Sequence, residues 1–103
     1  MNNSLQIINQ LYDLQSKIRE RGEMEHFERN FSRLFSIFHD DGFMIQDPTG
    51  EAYSDSRTDC EASIAGRPSS HMKITKTIKP VVYQKTGDNI LLVQKAVVLV
   101  ENK

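Results

Sequence analysis

The sequence predicts an α+β chain in which an N-terminal helical pair, residues 1–41, precedes a small antiparallel β-sheet head, residues 42–103. Three observations predict this. Apolar residues recur at spacings of three and four through the first forty positions. The period changes from Phe43 onward. The last stretch, Ile90 to Val100, is rich in β-branched residues and follows a turn signal.

The first helix is expected to start near Ser4, a plausible N-cap. Ile7, Leu11, Leu14 and Ile18 then form one stripe of a helix. Continuing that stripe would bring Arg21 and Glu25 onto the apolar face, so the pattern stops there, with Gly22 at the break. A second stripe of Met24, Phe27, Phe31, Leu34 and Phe38 begins in a new register. It ends in His39-Asp40-Asp41-Gly42, where Gly42 can take the left-handed conformation. Two short helices make a thin core by themselves, so their stripes must be covered by later residues or by a second copy.

The head begins with the short apolar strand Phe43-Met44-Ile45, which runs into the turn Asp47-Pro48-Thr49-Gly50. Residues 54–61 are polar and show neither period. Ser63-Ile64-Ala65 reads as a brief strand ended by a Gly66–Ser70 loop. Met72, Ile74 and Ile78 share a parity that Lys76 interrupts, and Pro80 marks an edge or a bend. Val81-Val82-Tyr83 leads to a hairpin around Gly87. The run Ile90–Val100 reads as one central strand, buried on both faces for part of its length.

The segment GEAYSDSRTDCEASI, residues 50–64, poses the functional question, because it gathers carboxylates, a thiol and an arginine. Asp59 and Glu61 flank Cys60, and neighbouring negative charge disfavours a thiolate, which argues against a nucleophile. His26, His39 and His71 are scattered, with no Cys/His metal spacing, no phosphate-binding glycine loop and no serine elbow. The expectation is a protein without catalytic residues, metal or cofactor. The net charge of −1 gives no overall footprint for nucleic acid or an anionic membrane. Residues 1–51 carry 5 Lys+Arg against 9 Asp+Glu, and residues 52–103 carry 8 against 5, a mild gradient without a charged tail. Lys73, Lys76, Lys79 and Lys85 form at most a weak basic stripe, better read as lysines guarding a sheet edge. A lone cysteine fits a reducing cytoplasm. The N-terminus has no basic, apolar leader pattern, and no apolar run is long enough to span a bilayer as a helix.

Several blocks resemble the C-terminal part of GrpE, the nucleotide-exchange factor of DnaK-type chaperones. Leu5-x-x-Ile8-x-x-Leu11-Tyr12-Asp13-x-x-x-x-Ile18 is similar to the first short bundle helix of that family. Phe31-x-x-Leu34-Phe35-x-x-Phe38-x-x-x-Gly42-Phe43 is similar to its second helix and the step that follows. Gly50-Glu51-Ala52-Tyr53 resembles the family's Gly-Glu-x-Phe, and Glu61-Ala62-x-Ile64 its His-Glu-Ala-Val. Thr77-Ile78, Gln84-Lys85-x-Gly87 and Ala96-x-Val98-x-Val100 resemble its last strands. Departures are Ser54-Asp55 for Asp-Pro, Cys60 for His, Asp88 for Tyr and Gln94-Lys95 for Arg-Pro. The family's long N-terminal paired helix has no counterpart in this sequence.

The resemblance implies a homodimer in which Ile7, Leu11, Leu14, Ile18, Phe27, Phe31, Leu34 and Phe38 fill a four-helix bundle. It implies that the head enters the ATPase domain of a DnaK-type chaperone and favours its open form, releasing ADP by population shift. Tyr53, Ala62, Tyr83 and Val100 match the family's head contacts, with Glu61 beside them. The alternative is a homodimeric adaptor or regulatory module of the same fold that lacks exchange activity. A nucleic-acid-binding sheet using the lysine stripe is the weakest of the three readings.

Overall fold

The computed structural model describes residues 3–102. Helix α1 spans Ser4–Glu20, a single 3₁₀ turn Met24–His26 follows, and α2 spans Glu28–Asp40. The α1 cap position falls on Asn3, without a side-chain capping bond, so Ser4 is the first helical residue and not the cap. The break lies where the stripes change register. Gly22 takes φ +72°, open to glycine at little cost.

Seven strands follow: β1 Phe43–Gln46, β2 Ala52–Tyr53, β3 Cys60–Ala65, β4 Met72–Lys79, β5 Val81–Thr86, β6 Asn89–Gln94 and β7 Ala96–Asn102. They make two sheets, not one. The order β1-β5-β6 is antiparallel throughout, whereas β2-β4-β7-β3 is mixed, because β3 runs parallel to its neighbour β7. The expected wholly antiparallel head is corrected on that point. β3 and β7 lie far apart in sequence, so the chain between them can re-enter from the same end.

The run Ile90–Val100 is two strands. Lys95 separates β6 from β7, and the chain changes sheet there. β7 is central in its sheet but buries one face only, with Ala96, Val98 and Val100 inside and Leu99 exposed. β6 is exposed along nearly its whole length. The apolar run therefore marks two different environments. A similar change of sheet occurs at Pro80, which is fully buried between β4 and β5.

In β4, register shifts against β7 fall between Ile74 and Lys76 and between Thr77 and Lys79. Such bulges reverse the side-chain alternation. Thr77 is consequently buried and Ile78 exposed, opposite to the parity expected from Met72 and Ile74.

There are two core clusters. One lies under the four-stranded sheet and comprises Cys60, Met72, Ile74, Val81, Ala96, Val98 and Val100. The other joins helices to the three-stranded sheet through Ile8, Phe43 and Val82, with Leu5, Phe38 and Ile45 against it. The change from helix to strand near residue 41 is thus bridged by a shared core. α1 uses Ile8 and Tyr12 as its buried face, a quarter-turn or more from the Ile7–Ile18 stripe.

Candidate functional site

The polar segment 50–64 is built around Arg57. The turn places the Arg57 N–H on the Ser54 carbonyl at 3.1 Å, and its guanidinium points back into the segment. Nε donates to Asp59 Oδ1 at 3.0 Å and Nη2 to Asp59 Oδ2 at 2.9 Å, a bidentate pair. Nη1 donates to the Ala52 carbonyl at 3.1 Å and lies 3.1 Å from a Glu51 carboxylate oxygen. One side chain therefore ties β2 to the entry of β3. The Asp59 carbonyl then accepts from the Ala96 N–H at 2.9 Å, anchoring that entry to β7. Arg57 and Asp59 are therefore partners of one another within the fold and not freely solvated charges.

The bond from Arg57 holds the Asp59 carboxyl below the ordinary range against the opposing effect of burial, and the Asp59 bond raises the guanidinium pKa. Burial first, and Asp59 next, push the Cys60 thiol up. Cys60 is buried in the core of the four-stranded sheet, where a neutral thiol packs as a small hydrophobe.

Tyr53, Ala62 and Tyr83 are all half-buried and pack against this same core, but from different places: β2 and β3 are the opposite edges of the four-stranded sheet, and β5 belongs to the other sheet. Glu61 is exposed on the opposite face of β3 from Cys60 and Ala62, as strand alternation requires. Val100 is 0 % exposed, paired with Ile64 on one side and Ile74 on the other. A side chain without accessible surface offers no contact to a partner while the sheet is intact, and the match of Val100 to a contact position is corrected accordingly.

The helical residues also divide. Ile7 is 48 % and Leu14 is 50 % exposed; Leu11 and Ile18 are half-buried, and the four lie along the outer face of α1. Ile7, Leu11 and Leu14 line a shallow groove of about 500 Å³ together with Gln6, Gln10 and Asp13. Phe27, at the N-cap of α2, is exposed, as are Leu34 and Ile37 on the helix. Phe31 is buried, stacked on Phe35 at 6.4 Å between ring centroids. Phe38 meets Phe43 edge-on at 6.2 Å. Phe31 and Phe38 are thus engaged within the chain, and not free to fill an interface.

A second cleft of about 480 Å³ opens between α1, α2 and β1, lined by Tyr12, Arg19, Phe35, His39, Phe43 and Ile45. Its floor is a polar network the sequence did not reveal. Tyr12 donates to Asp47 Oδ2 at 2.8 Å, while Oδ1 accepts from the Thr49 N–H at 3.0 Å and its hydroxyl at 2.6 Å. Thr49 and Thr77 hydroxyls are 2.7 Å apart. Burial would raise the Asp47 carboxyl, but bonds from Thr49, Tyr12 and Thr77 outweigh it and hold it below its ordinary value. Burial, followed by the bond and charge of Asp47, pushes the Tyr12 phenol up.

Asn9 and Gln94 exchange reciprocal amide bonds at 2.8 and 2.9 Å, and Gln94 Nε2 also donates to the Pro80 carbonyl at 2.9 Å. The four lysines of the supposed stripe split between sheets, with Lys73, Lys76 and Lys79 on β4 and Lys85 on β5. Both strands lie inside their sheets by order, which corrects the edge assignment, although β2 covers only the start of β4. Among the described residues, no group of three His, Cys, Asp or Glu side chains is placed to hold a metal ion. None of their helices is long and apolar enough to cross a membrane.

No family model, no curated protein and no solved structure matches the chain.

Proposed function

We propose that the chain acts as a GrpE-like dimer whose β head binds the ATPase domain of a DnaK-type chaperone and promotes ADP release. The observation that carries this reading is the exposed apolar surface of the helical pair, Ile7 and Leu14 on α1 with Phe27 at the N-cap of α2 and Leu34 within it. Large apolar residues left open at helical spacing on both segments are what a second copy would cover. Their place on the helices, ahead of a strand-built head, agrees with the resemblance in the sequence. In this scheme Glu61 is the exposed contact to the chaperone, and the half-buried Tyr53, Ala62 and Tyr83 contribute the edges they leave open. The head acts by binding the open chaperone domain more tightly than the closed one, without covalent chemistry.

One observation favours a second reading, an adaptor of the same fold without exchange activity. Gln94 stands where the family carries its arginine, and its amide is fully occupied by Asn9 and Pro80. That position presents no free cation to a partner.

The deciding experiment is release of a fluorescent ADP analogue from a DnaK-type chaperone, with and without the protein. The exchange-factor reading expects faster release, lost in Glu61→Lys, a substitution at an exposed position that leaves both cores intact. Unchanged release from a folded dimer would rule exchange out and leave the adaptor.

A further inference from the structure

The outer strand of the three-stranded sheet, β6, has the sequence NILLVQ. It ends the order β1-β5-β6, so one side of its backbone has no neighbouring strand. Ile90, Leu91, Leu92 and Val93 are 54, 57, 40 and 39 % exposed. Side chains on both faces of the strand therefore stand in water. Proteins ordinarily guard such an edge with lysine, proline or a covering loop. Between Asn89 and Gln94 there is neither lysine nor proline, and the one irregularity is a register shift at the far end, beyond Leu92.

The register specifies which backbone groups are open. Thr86 and Asn89 flank the two-residue turn Gly87-Asp88 and are paired. Residues that flank such a turn exchange hydrogen bonds, and bonded and non-bonded pairs then alternate along the ladder. Asn89 and Leu91 thus address β5, while the N–H and C=O of Ile90 and Leu92 point outward. Two adjacent outward residues on an apolar strand are what an added strand pairs with.

A second copy is a poor occupant on grounds of area. The four residues expose on the order of 300–400 Å², the size of the largest apolar patch on an ordinary monomer. Two such edges together bury less than the roughly 1,200 Å² at which stable, specific interfaces begin. A single extended segment suits the edge better, because main-chain bonds supply affinity over a small area. The flanking charge specifies its chemistry: it is mixed at the turn, where Asp88 precedes the strand and Lys85 pairs opposite Ile90, and positive at the far end, where Lys95 follows the strand directly.

We propose that β6 is a strand-addition site for an extended partner peptide, apolar at alternate positions and carrying a carboxylate at the end that lies beside Lys95. This goes beyond the chaperone reading and does not depend on it. The probe is an acetylated peptide of alternating valine and threonine with a glutamate at one end, added to the full chain. Amide exchange followed by NMR is expected to slow at Ile90 and Leu92 but not further at Leu91. A peptide N-methylated at alternate amides is expected not to bind. Leu92→Pro removes an outward donor and is expected to abolish binding, and Ile90→Lys to weaken it at least about tenfold. Unchanged exchange in β7 and α1 confirms that either variant is folded. The proposal is overturned if the N-methylated peptide binds equally or if protection appears on the helices. It also falls if the peptide does not bind, or if Ile90 and Leu92 become protected with rising protein concentration alone, which would identify a second copy.

Discussion

Arg57 organises the segment from which the functional question arose. Its guanidinium closes on Asp59 in bidentate fashion and reaches Glu51 and the Ala52 carbonyl, so substitution strands several acceptors at once. Arg57→Ala is expected to lower stability by about 1–3 kcal/mol, the usual range for hydrogen bonds to charged groups, measured by denaturant unfolding at neutral pH. The sign of its pH dependence follows from Asp59, whose carboxyl is held low by Arg57 in the folded chain. A depressed carboxylate contributes stability that is present above its unfolded value near 4 and lost as pH falls through the folded value. The gap between parent and variant is therefore expected to narrow below about pH 4. The Cys60 thiolate was legible in the sequence as disfavoured, because adjacent charges act locally. The fold adds burial as the larger cause. The Tyr12–Asp47 bond, between residues 35 apart, leaves no comparable local trace.

At the scale of elements, the helices and the hairpin were legible because each has a local cause. Gly22 and Gly42 stop helices, and Gly87 turns the hairpin, all with positive φ. The break of Ile90–Val100 was not legible, since an apolar run looks the same whether it stays in one sheet or crosses to another. Gln94-Lys95 is the polar interruption within it, and its meaning depends on Asn9 and Pro80, distant in sequence. Ile78 was misplaced for a related reason: bulges in β4 arise from its pairing with β7, which β4's own sequence does not encode. Gly42 carries a second constraint beyond φ +94°. A Cβ there would sit 2.9 Å from the Lys85 carbonyl oxygen, and the Lys85 N–H donates to the Gly42 carbonyl at 2.8 Å. Backbone meets backbone at that point. Gly42→Ala is expected to cost at least about 1–3 kcal/mol, seen as a lower thermal midpoint, with β1–β5 contacts loosened first in amide exchange.

For the whole molecule, the stripe predicted to form a bundle divides into residues the chain uses and residues it leaves open. Phe31 and Phe38 bind the helices to their own fold, while Ile7 and Leu14 remain outside. Periodicity identifies apolar faces but cannot apportion them between core and partner, so only half of that division was legible. If the open half carries self-association, Ile7→Glu with Leu14→Glu is expected to reduce the mass by light scattering to that of a monomer, without changing the circular dichroism of the helices. The same mass for parent and double variant would locate any dimer contact elsewhere.

The chain crosses between the two sheets three times, and two of the crossings lie side by side. Pro80 carries the chain from β4 to β5, Lys95 carries it from β6 to β7, and Gln94 fastens these two together. Two plates held by that pair of links alone could swing like a door on two pins, but the third crossing, from β1 to β2, is fastened separately, by Asp47 to Tyr12 and by Thr49 to Thr77. The Asn9 bond to Gln94 sets the paired links against α1, and the Tyr12 bond sets the third crossing against the same helix. A load applied to the four-stranded sheet would accordingly reach α1 at two points.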